Sequence, residues 1–131
     1  MAFEFYRAEN SAAPIEKELP AKVSAALPHG TAVAFDGANG LAPVSGTSKP
    51  EFVYVGKDIT SAITGQIINV VPVLPEYEWE TTLSASGTSL KKGQKVTISS
   101  DGTQATATTT SGVFELLTDG GASGAKVVGR F

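Results

Sequence analysis

Turn-forming residue pairs interrupt this chain at short intervals, and this spacing constrains the fold more than any other feature of the sequence. Asp-Gly and Asn-Gly pairs and clusters containing glycine or proline separate runs that are rich in valine, isoleucine, threonine and aromatic residues. Many short strands joined by such turns are typical of a β-sandwich or a β-barrel. The predicted strands lie at residues 31–35, 51–55, 65–73, 76–83, 95–99, 103–109, 113–117 and 125–131.

Length and composition agree with this interpretation. The 131 residues are enough for one ordinary domain or for two small lobes that share a boundary. With 41% hydrophobic and 18% charged residues the chain is too apolar to be disordered, and fourteen glycines and seven prolines disfavour a helical bundle. We therefore predict an all-β protein whose small sandwich- or barrel-like body has two β lobes and an extended N-terminal arm.

A faint internal repeat indicates where the lobes divide. The run GTAV from Gly30 and a later Asp-Gly pair recur as GQKV from Gly93 and a second Asp-Gly pair. The apolar strand after Gly65 has a counterpart after Gly124, at a similar offset along the chain. The alternative is that glycine, valine and Asp-Gly recur by chance in any β protein. The repeat predicts an arm and linker at residues 1–18, a first lobe at 19–80 and a second lobe at 81–131.

Charge and cysteine content argue against several classes of function. The formal net charge is −3 and the largest basic cluster is Lys91-Lys92, so we expect no nucleic-acid partner. The chain has no cysteine, which excludes disulfides and thiolate metal sites. The N-terminus lacks a signal-peptide pattern, and the most apolar stretch is interrupted by Asn69 and Pro72. We therefore expect no membrane partner and synthesis in the cytoplasm.

No motif predicts an enzyme, a metal site or a cofactor. The single histidine, His29, lies between proline and glycine in a predicted exposed turn, where the sequence places no catalytic partner beside it. A G-x-S-x-G elbow is missing, and the glycine-rich run near the C-terminus has Ala125 and Val127 where a phosphate-binding loop needs glycine and a hydroxyl. The Asp-Gly pairs do not form a calcium loop. We expect a protein that is not an enzyme.

The segment EYEWE is the most informative acidic stretch. In a strand its carboxylates lie on one face and Tyr77 and Trp79 on the other, and successive carboxylates are about 6.5–7 Å apart, too far for one tight metal site. The favoured interpretation is a half-buried strand whose aromatic residues lie in the core and whose glutamates face water. The alternative is an interface for a basic partner, formed by Glu76, Glu78 and Glu80.

The N-terminal segment carries three aromatic residues that must be buried somewhere. Phe3 and Phe5 alternate around Glu4 in a strand-like pattern, and a linker that ends at Pro14 follows. One interpretation is an arm set apart from the body that adds as a strand to a neighbouring protein. The other is the first strand of the chain's own sheet. The candidate partner-binding residues of the arm are Ala2, Phe3, Glu4, Phe5, Tyr6 and Arg7.

Three phrases and the overall layout resemble a known family. Residues 27–33 (LPHGTAV) and 92–98 (KGQKVTI) each place a glycine before a strand, and residues 111–116 (SGVFEL) contain a Gly-Val-Phe strand. Together with the arm and the twin β lobes, these phrases make the chain resemble the head decoration (capsid cement) proteins of tailed bacteriophages.

The resemblance implies a small β protein, often a homotrimer, that binds the major capsid protein on the outer surface of the virion and clamps neighbouring capsid subunits. It also implies neither catalysis nor a cofactor. Some decoration proteins have one lobe only, so the role of the second lobe stays open. The alternative is a carbohydrate- or receptor-binding β module on a virion or cell surface, with Trp79, Tyr77 or Tyr54 as a platform for sugar stacking. An exposed Trp79 favours this alternative and a buried one opposes it.

Overall fold

The computed structural model describes residues 1–8, 13–37 and 40–131, and in these residues it contains ten β-strands and no helix. Every pair of neighbouring strands is antiparallel. The predicted all-β fold is therefore confirmed. The strands are β1 (Glu4–Ala8), β2 (Lys17–Pro20), β3 (Ala32–Phe35), β4 (Leu41–Pro43), β5 (Phe52–Tyr54), β6 (Ile67–Pro72), β7 (Tyr77–Thr82), β8 (Lys95–Val96), β9 (Phe114–Leu116) and β10 (Lys126–Arg130).

Two predicted features fall partly outside the described residues. These are positions 9–12 of the predicted linker and Asn39 of the predicted Asn-Gly turn. The part of the chain that the structure describes holds no helix long and apolar enough to cross a membrane.

The strands form two five-stranded sheets. Sheet A has the order β1-β7-β10-β9-β8, and sheet B has the order β2-β6-β5-β3-β4. Backbone hydrogen bonds join the segments beside the two sheets. The amide of Ala32 in β3 donates to the carbonyl of Gly102 at 2.8 Å, and Gly46, after β4, exchanges two bonds of 2.8 and 3.0 Å with Ile98, after β8. The sheets are thus tied together through their backbones, which is compatible with the predicted two-lobe sandwich.

Side chains of sheet B alternate between two hydrophobic cores, because successive residues of a strand point to opposite faces. In β5, Val53 belongs to the larger core, whereas Phe52 and Tyr54 contribute to the smaller one. Loop residues Leu27 and Ile59 close the smaller core and form an antiparallel bridge with each other. The larger core contains residues from both sheets. Its buried members include Phe3, which precedes β1, and from sheet A Trp79, Val96, Phe114, Leu116 and Val127.

The two halves of the chain repeat the same backbone geometry. The amide of Gly30 donates to the carbonyl of Tyr54 at 2.8 Å, and the amide of Gly93 donates to the carbonyl of Leu116 at 2.7 Å. Gly30 and Gly93 have φ angles of 79° and 89°, in the left-handed region that glycine adopts without strain. The strand order β7-β10-β9-β8 in sheet A also repeats the order β2-β6-β5-β3 in sheet B. The repeat predicted from the sequence is therefore present in the structure.

An aspartate holds the turn before each of these glycines. The amide of His29 donates to Oδ1 of Asp58 at 2.8 Å, and the amide of Lys92 donates to Oδ1 of Asp119 at 3.1 Å. In each half the bond joins two segments that are distant along the chain. The repeat therefore includes long-range side-chain contacts as well as strand order.

The structural units divide earlier in the chain than the sequence suggested. The predicted division after Glu80 falls inside β7, which spans Tyr77–Thr82. The last strand of sheet B, β6, ends at Pro72, and β7 of sheet A begins at Tyr77, so the chain passes from one sheet to the other between these residues. The N-terminal segment likewise differs from a free arm, since β1 is a strand of sheet A. The N-terminal segment is part of the body, because β1 is an edge strand of sheet A and Phe3 beside it is buried.

Candidate binding surface

Residues 4–8 of the predicted arm form β1, one edge of sheet A. β1 pairs with β7 in a register that sets Glu4 opposite Glu80, Phe5 opposite Trp79 and Ala8 opposite Tyr77. The amide of Phe3 extends this attachment by donating to the carbonyl of Gly30 at 2.8 Å. Of the two interpretations drawn from the sequence, the structure therefore has the strand of the chain's own sheet, and the interpretation as an arm set apart from the body is corrected.

Burial of aromatic side chains explains this placement. Phe3 is 1% exposed, and its ring lies 5.3 Å from that of Phe114 and 5.2 Å from that of Phe131. Phe5 is half-buried and meets the rings of Tyr77 and Trp79 edge to face, at 5.2 and 5.7 Å. A fully buried phenylalanine is stabilised by about 1.5–3 kcal/mol relative to an exposed one. Phe3 is therefore not available to a partner while β1 stays in the sheet.

Three side chains of β1, those of Glu4, Tyr6 and Arg7, face solvent, whereas Ala8 is buried. The side chain of Arg7 is 68% exposed and that of Glu4 is 55% exposed, and Tyr6 is also exposed. A β-bulge between Phe5 and Arg7 lets Tyr6 stand out of the ladder. Arg7 lies over the Tyr6 ring at 5.7 Å and donates from Nε to Oε1 of Glu78 at 2.9 Å. An exposed tyrosine beside an exposed arginine is thus fixed on a rigid strand.

The favoured interpretation of the acidic segment EYEWE, with buried aromatic residues and solvent-facing glutamates, is confirmed in part. Tyr77 and Trp79 are buried, at 3% and 0% exposure, as predicted. Glu78 is also buried, at 9% exposure, because Arg7 of β1 covers it, so the expectation that all three glutamates face water is wrong for this residue. Glu80 is half-buried and lies 3.9 Å from Nζ of Lys126, and Glu76 is half-buried. β1 and β7 thus form one mixed-charge surface, which we call the β1 surface.

His29 has partners that the sequence did not predict. Its turn forms as expected, but its Nδ1 lies 2.9 Å from the carbonyl of Gly56 and its Nε2 lies 3.1 Å from Oε1 of Glu4. Both neighbours are acceptors, so only the protonated imidazolium donates to both. Burial lowers the pKa of His29, but the Gly56 carbonyl and the Glu4 carboxylate outweigh it, so the pKa is raised above 6.5. His29 therefore connects β1 to the loop after β5 in a pH-dependent way.

The aromatic platform for sugar stacking is not formed. Trp79, Tyr77 and Tyr54 are all at most 4% exposed. The hydroxyl of Tyr54 donates to the carbonyl of Lys57, and burial followed by the charge of Asp58 raises its pKa. None of the three rings is available to stack on a sugar. Within the residues that the structure describes, no group of three histidine or carboxylate side chains is placed to hold a metal ion.

In comparisons with known proteins, no family model matches the sequence, and no curated protein matches it either. Its function is therefore inferred from the chemistry of its surfaces.

Sequence reasoning found most residues of the β1 surface but missed how they are joined. The alternation of Phe3 and Phe5 indicated a strand, yet the partner strand β7 begins only after the whole of sheet B along the chain. The Glu4–His29 contact gives no local signal, because it depends on the pairing of β1 with β7. The ion pair of Arg7 with Glu78 is likewise seen only in the structure, since the sequence analysis did not match Arg7 to the acidic strand.

Proposed function

We propose that this chain is a non-enzymatic capsid decoration protein that binds the major capsid protein on the outer surface of a phage head. The observation that carries the proposal is the β1 surface, where exposed Tyr6 and Arg7 lie on an edge strand anchored by Phe3. Tyrosine and arginine are enriched among the residues that contribute most to protein interfaces. An edge strand also offers unpaired backbone groups to a neighbouring chain.

The mode of attachment differs from that of a free arm. Releasing β1 would expose Phe3 and leave Glu78, at 9% exposure, without its arginine. We propose instead that β1 binds as a folded strand, with Glu4, Tyr6 and Arg7 contacting the capsid and Phe3 holding the strand in place. Ala2 and Phe5 are half-buried and act mainly as support.

The capsid assignment rests on the layout of the chain. A strand-forming N-terminus followed by two repeated β units resembles the head decoration proteins, and the proposed partner and virion location come from that resemblance. Such proteins often occupy threefold positions, so we propose a homotrimer on the shell, made in the host cytoplasm. Several copies held together bind a shell at high effective concentration, so a weak contact per copy is sufficient.

Co-sedimentation with undecorated, DNA-filled heads of the phage that encodes this chain tests the proposal. We expect the wild-type protein to sediment with the heads and Tyr6→Ala to lose at least tenfold in affinity, while its free energy of unfolding falls by less than about 1 kcal/mol. Ile63→Ala is the matched control, because Ile63 is 70% exposed and lies away from β1 in the chain. Equal sedimentation of the two variants would remove the β1 surface from the interface, and no sedimentation of the wild type would remove the capsid assignment.

A further inference from the structure

The structural repeat leaves one position of sheet B without the strand that its counterpart has. β7 in sheet A is paired with β10 on one side and with β1 on the other. Its counterpart β2 is paired with β6 on one side, and no other strand of residues 1–8, 13–37 and 40–131 pairs with it. The outer side of β2 is therefore the position that β1 would have in an exact repeat.

Register shows which residues form this edge. Glu18 is opposite Asn69 in sheet B, as Glu80 is opposite Val128 in sheet A, and the same alignment continues one residue earlier at Lys17 and Trp79. This alignment matches the sequence IEKE at residues 15–18 to YEWE at residues 77–80. Both glutamates of one segment therefore have a glutamate at the equivalent position of the other. We call residues 15–18 the β2 edge.

The β2 edge lacks the charges that β1 and β10 supply to β7. Glu78 receives the guanidinium of Arg7 at 2.9 Å, and Glu80 has Lys126 at 3.9 Å. Their counterparts Glu16 and Glu18 are exposed, and neither forms an ion pair with any residue in the described part of the chain. The β2 edge is thus an acidic strand edge without a basic partner.

An apolar side chain on this edge is also uncovered. Tyr77 is 3% exposed because Phe5 of β1 packs against it, whereas its counterpart Ile15 is 63% exposed. No strand of the described residues covers Ile15 as β1 covers Tyr77. A segment that pairs here would bury Ile15 with an apolar residue and meet Glu16 with a basic one, as Phe5 and Arg7 do in sheet A.

Charge disfavours a second copy of β2 as the occupant. A twofold antiparallel pairing of two β2 edges centred on Glu16, on Lys17 or on Glu18 sets a glutamate opposite a glutamate in each case. Like charges directly opposite each other destabilise a pair of strands. The edge therefore discriminates against its own copy, as protected edges of monomeric sheets do.

We propose that the β2 edge binds an extended segment of another protein, with alternating apolar and basic residues, as a sixth strand of sheet B. Main-chain hydrogen bonds to residues 15–18 give this contact its register, and the pairing of Glu16 and Glu18 with arginine or lysine gives it selectivity. The proposal does not depend on the capsid assignment, because it concerns sheet B, whereas the β1 surface belongs to sheet A.

A peptide made from the chain's own β1 sequence is the probe. It comprises residues 2–8 with Glu4→Arg, so that arginine faces both glutamates of the β2 edge, and its termini are capped. The control peptide has the native Glu4 and carries Arg7→Glu. Binding to the full-length protein is followed by amide chemical shifts and by hydrogen exchange of residues 15–19.

We expect saturable binding of the basic peptide with shifts centred on the β2 edge, slower amide exchange there, and at least tenfold weaker binding of the acidic peptide. Glu16→Lys is expected to weaken binding at least tenfold, whereas the matched reversal Glu76→Lys, beside sheet A, changes it less than threefold. Equal losses from both reversals would reduce the contact to non-specific charge attraction and overturn the proposal. Amide chemical-shift changes centred on β7, or peptide binding that does not saturate, would also overturn the proposal. Self-association of the protein that Glu16→Lys abolishes would do the same.

Discussion

Phe3→Ala distinguishes a core strand from a detachable arm at the N-terminus. Phe3 is 1% exposed and packs against the rings of Phe114 and Phe131, at 5.3 and 5.2 Å. Truncating a fully buried phenylalanine to alanine costs about 3–5 kcal/mol, since both the transfer free energy and the cavity contribute. The same change in a solvated arm alters the free energy of unfolding by less than about 0.5 kcal/mol. The two interpretations therefore differ by several kcal/mol.

Urea denaturation at constant temperature measures this difference. The chain has a single tryptophan, and Trp79 is fully buried beside Phe5, so its fluorescence reports the unfolding of sheet A. A domain of this size has a free energy of unfolding of about 5–15 kcal/mol, so Phe3→Ala is expected to shift the midpoint strongly or to unfold the protein. Phe3→Leu removes fewer buried atoms and is expected to cost about 1–2 kcal/mol, which keeps the measurement possible if the alanine variant does not fold.

Tyr6→Ala is the matched control for the same strand. Tyr6 is 50% exposed and contacts Arg7 at 5.7 Å from the guanidinium carbon to the ring centroid, so its loss is expected to cost less than about 1 kcal/mol. A cost below about 1 kcal/mol for Phe3→Ala, equal to that of the control, would refute the assignment of β1 to the core.

Three further changes test other contacts of the fold. The pKa of His29 is raised in the folded state, so its stabilising effect is present below about pH 6.5 and is lost as the pH rises through the folded pKa. His29→Gln should remove this pH dependence, which is worth less than about 1 kcal/mol because the site is solvent-accessible. Melting temperatures that depend on pH in the same way in the variant and the wild type would contradict this prediction. Burial raises the pKa of Asp101, but hydrogen bonds from the hydroxyls of Thr103 and Ser99 outweigh burial and lower the pKa. Asp101→Ala should therefore cost about 1 kcal/mol at pH 7 and progressively less as the pH falls through the folded pKa. Denaturation at several pH values measures this cost. Gly129→Ala should cost about 1–3 kcal/mol because the added Cβ would clash with the Glu115 carbonyl oxygen and the Phe114 ring, and an unchanged melting temperature would show that the strands can separate without cost.

Local sequence pattern was sufficient for the fold class and for much of the two sheets. The observed strands β3 and β5 to β10 all lie within predicted runs, because alternation and turn residues act over a few neighbours. The burial of Tyr77 and Trp79 followed from the same alternation. The strand predicted at residues 103–109 is wrong, because this segment forms only isolated bridges at Ala105. Two observed strands were also missed. β2 has the sequence KELP and β4 has LAP, and neither carries a local strand signal, since pairing with β6 and β3 creates them.

The sequence also determined the repeat, but the tertiary structure decided what each copy does with it. Ala32, Val53 and Val71 of sheet B lie in the larger core. Their counterparts in sheet A, aligned by the same strand pairs, are Lys95, Glu115 and Arg130, which lie outside both cores, with Nε of Arg130 2.8 Å from Oε1 of Glu115.

The partner of each edge was likewise a tertiary decision. One copy of the acidic strand is covered by Phe5 and Arg7 of β1, and the other, at Glu16 and Glu18, is left at an open edge. Periodicity states which residues of a strand share a face, and it does so from near neighbours alone. Which face or edge is buried depends on segments far apart along the chain meeting in space, as β1 and β7 do, and no local pattern contains that information.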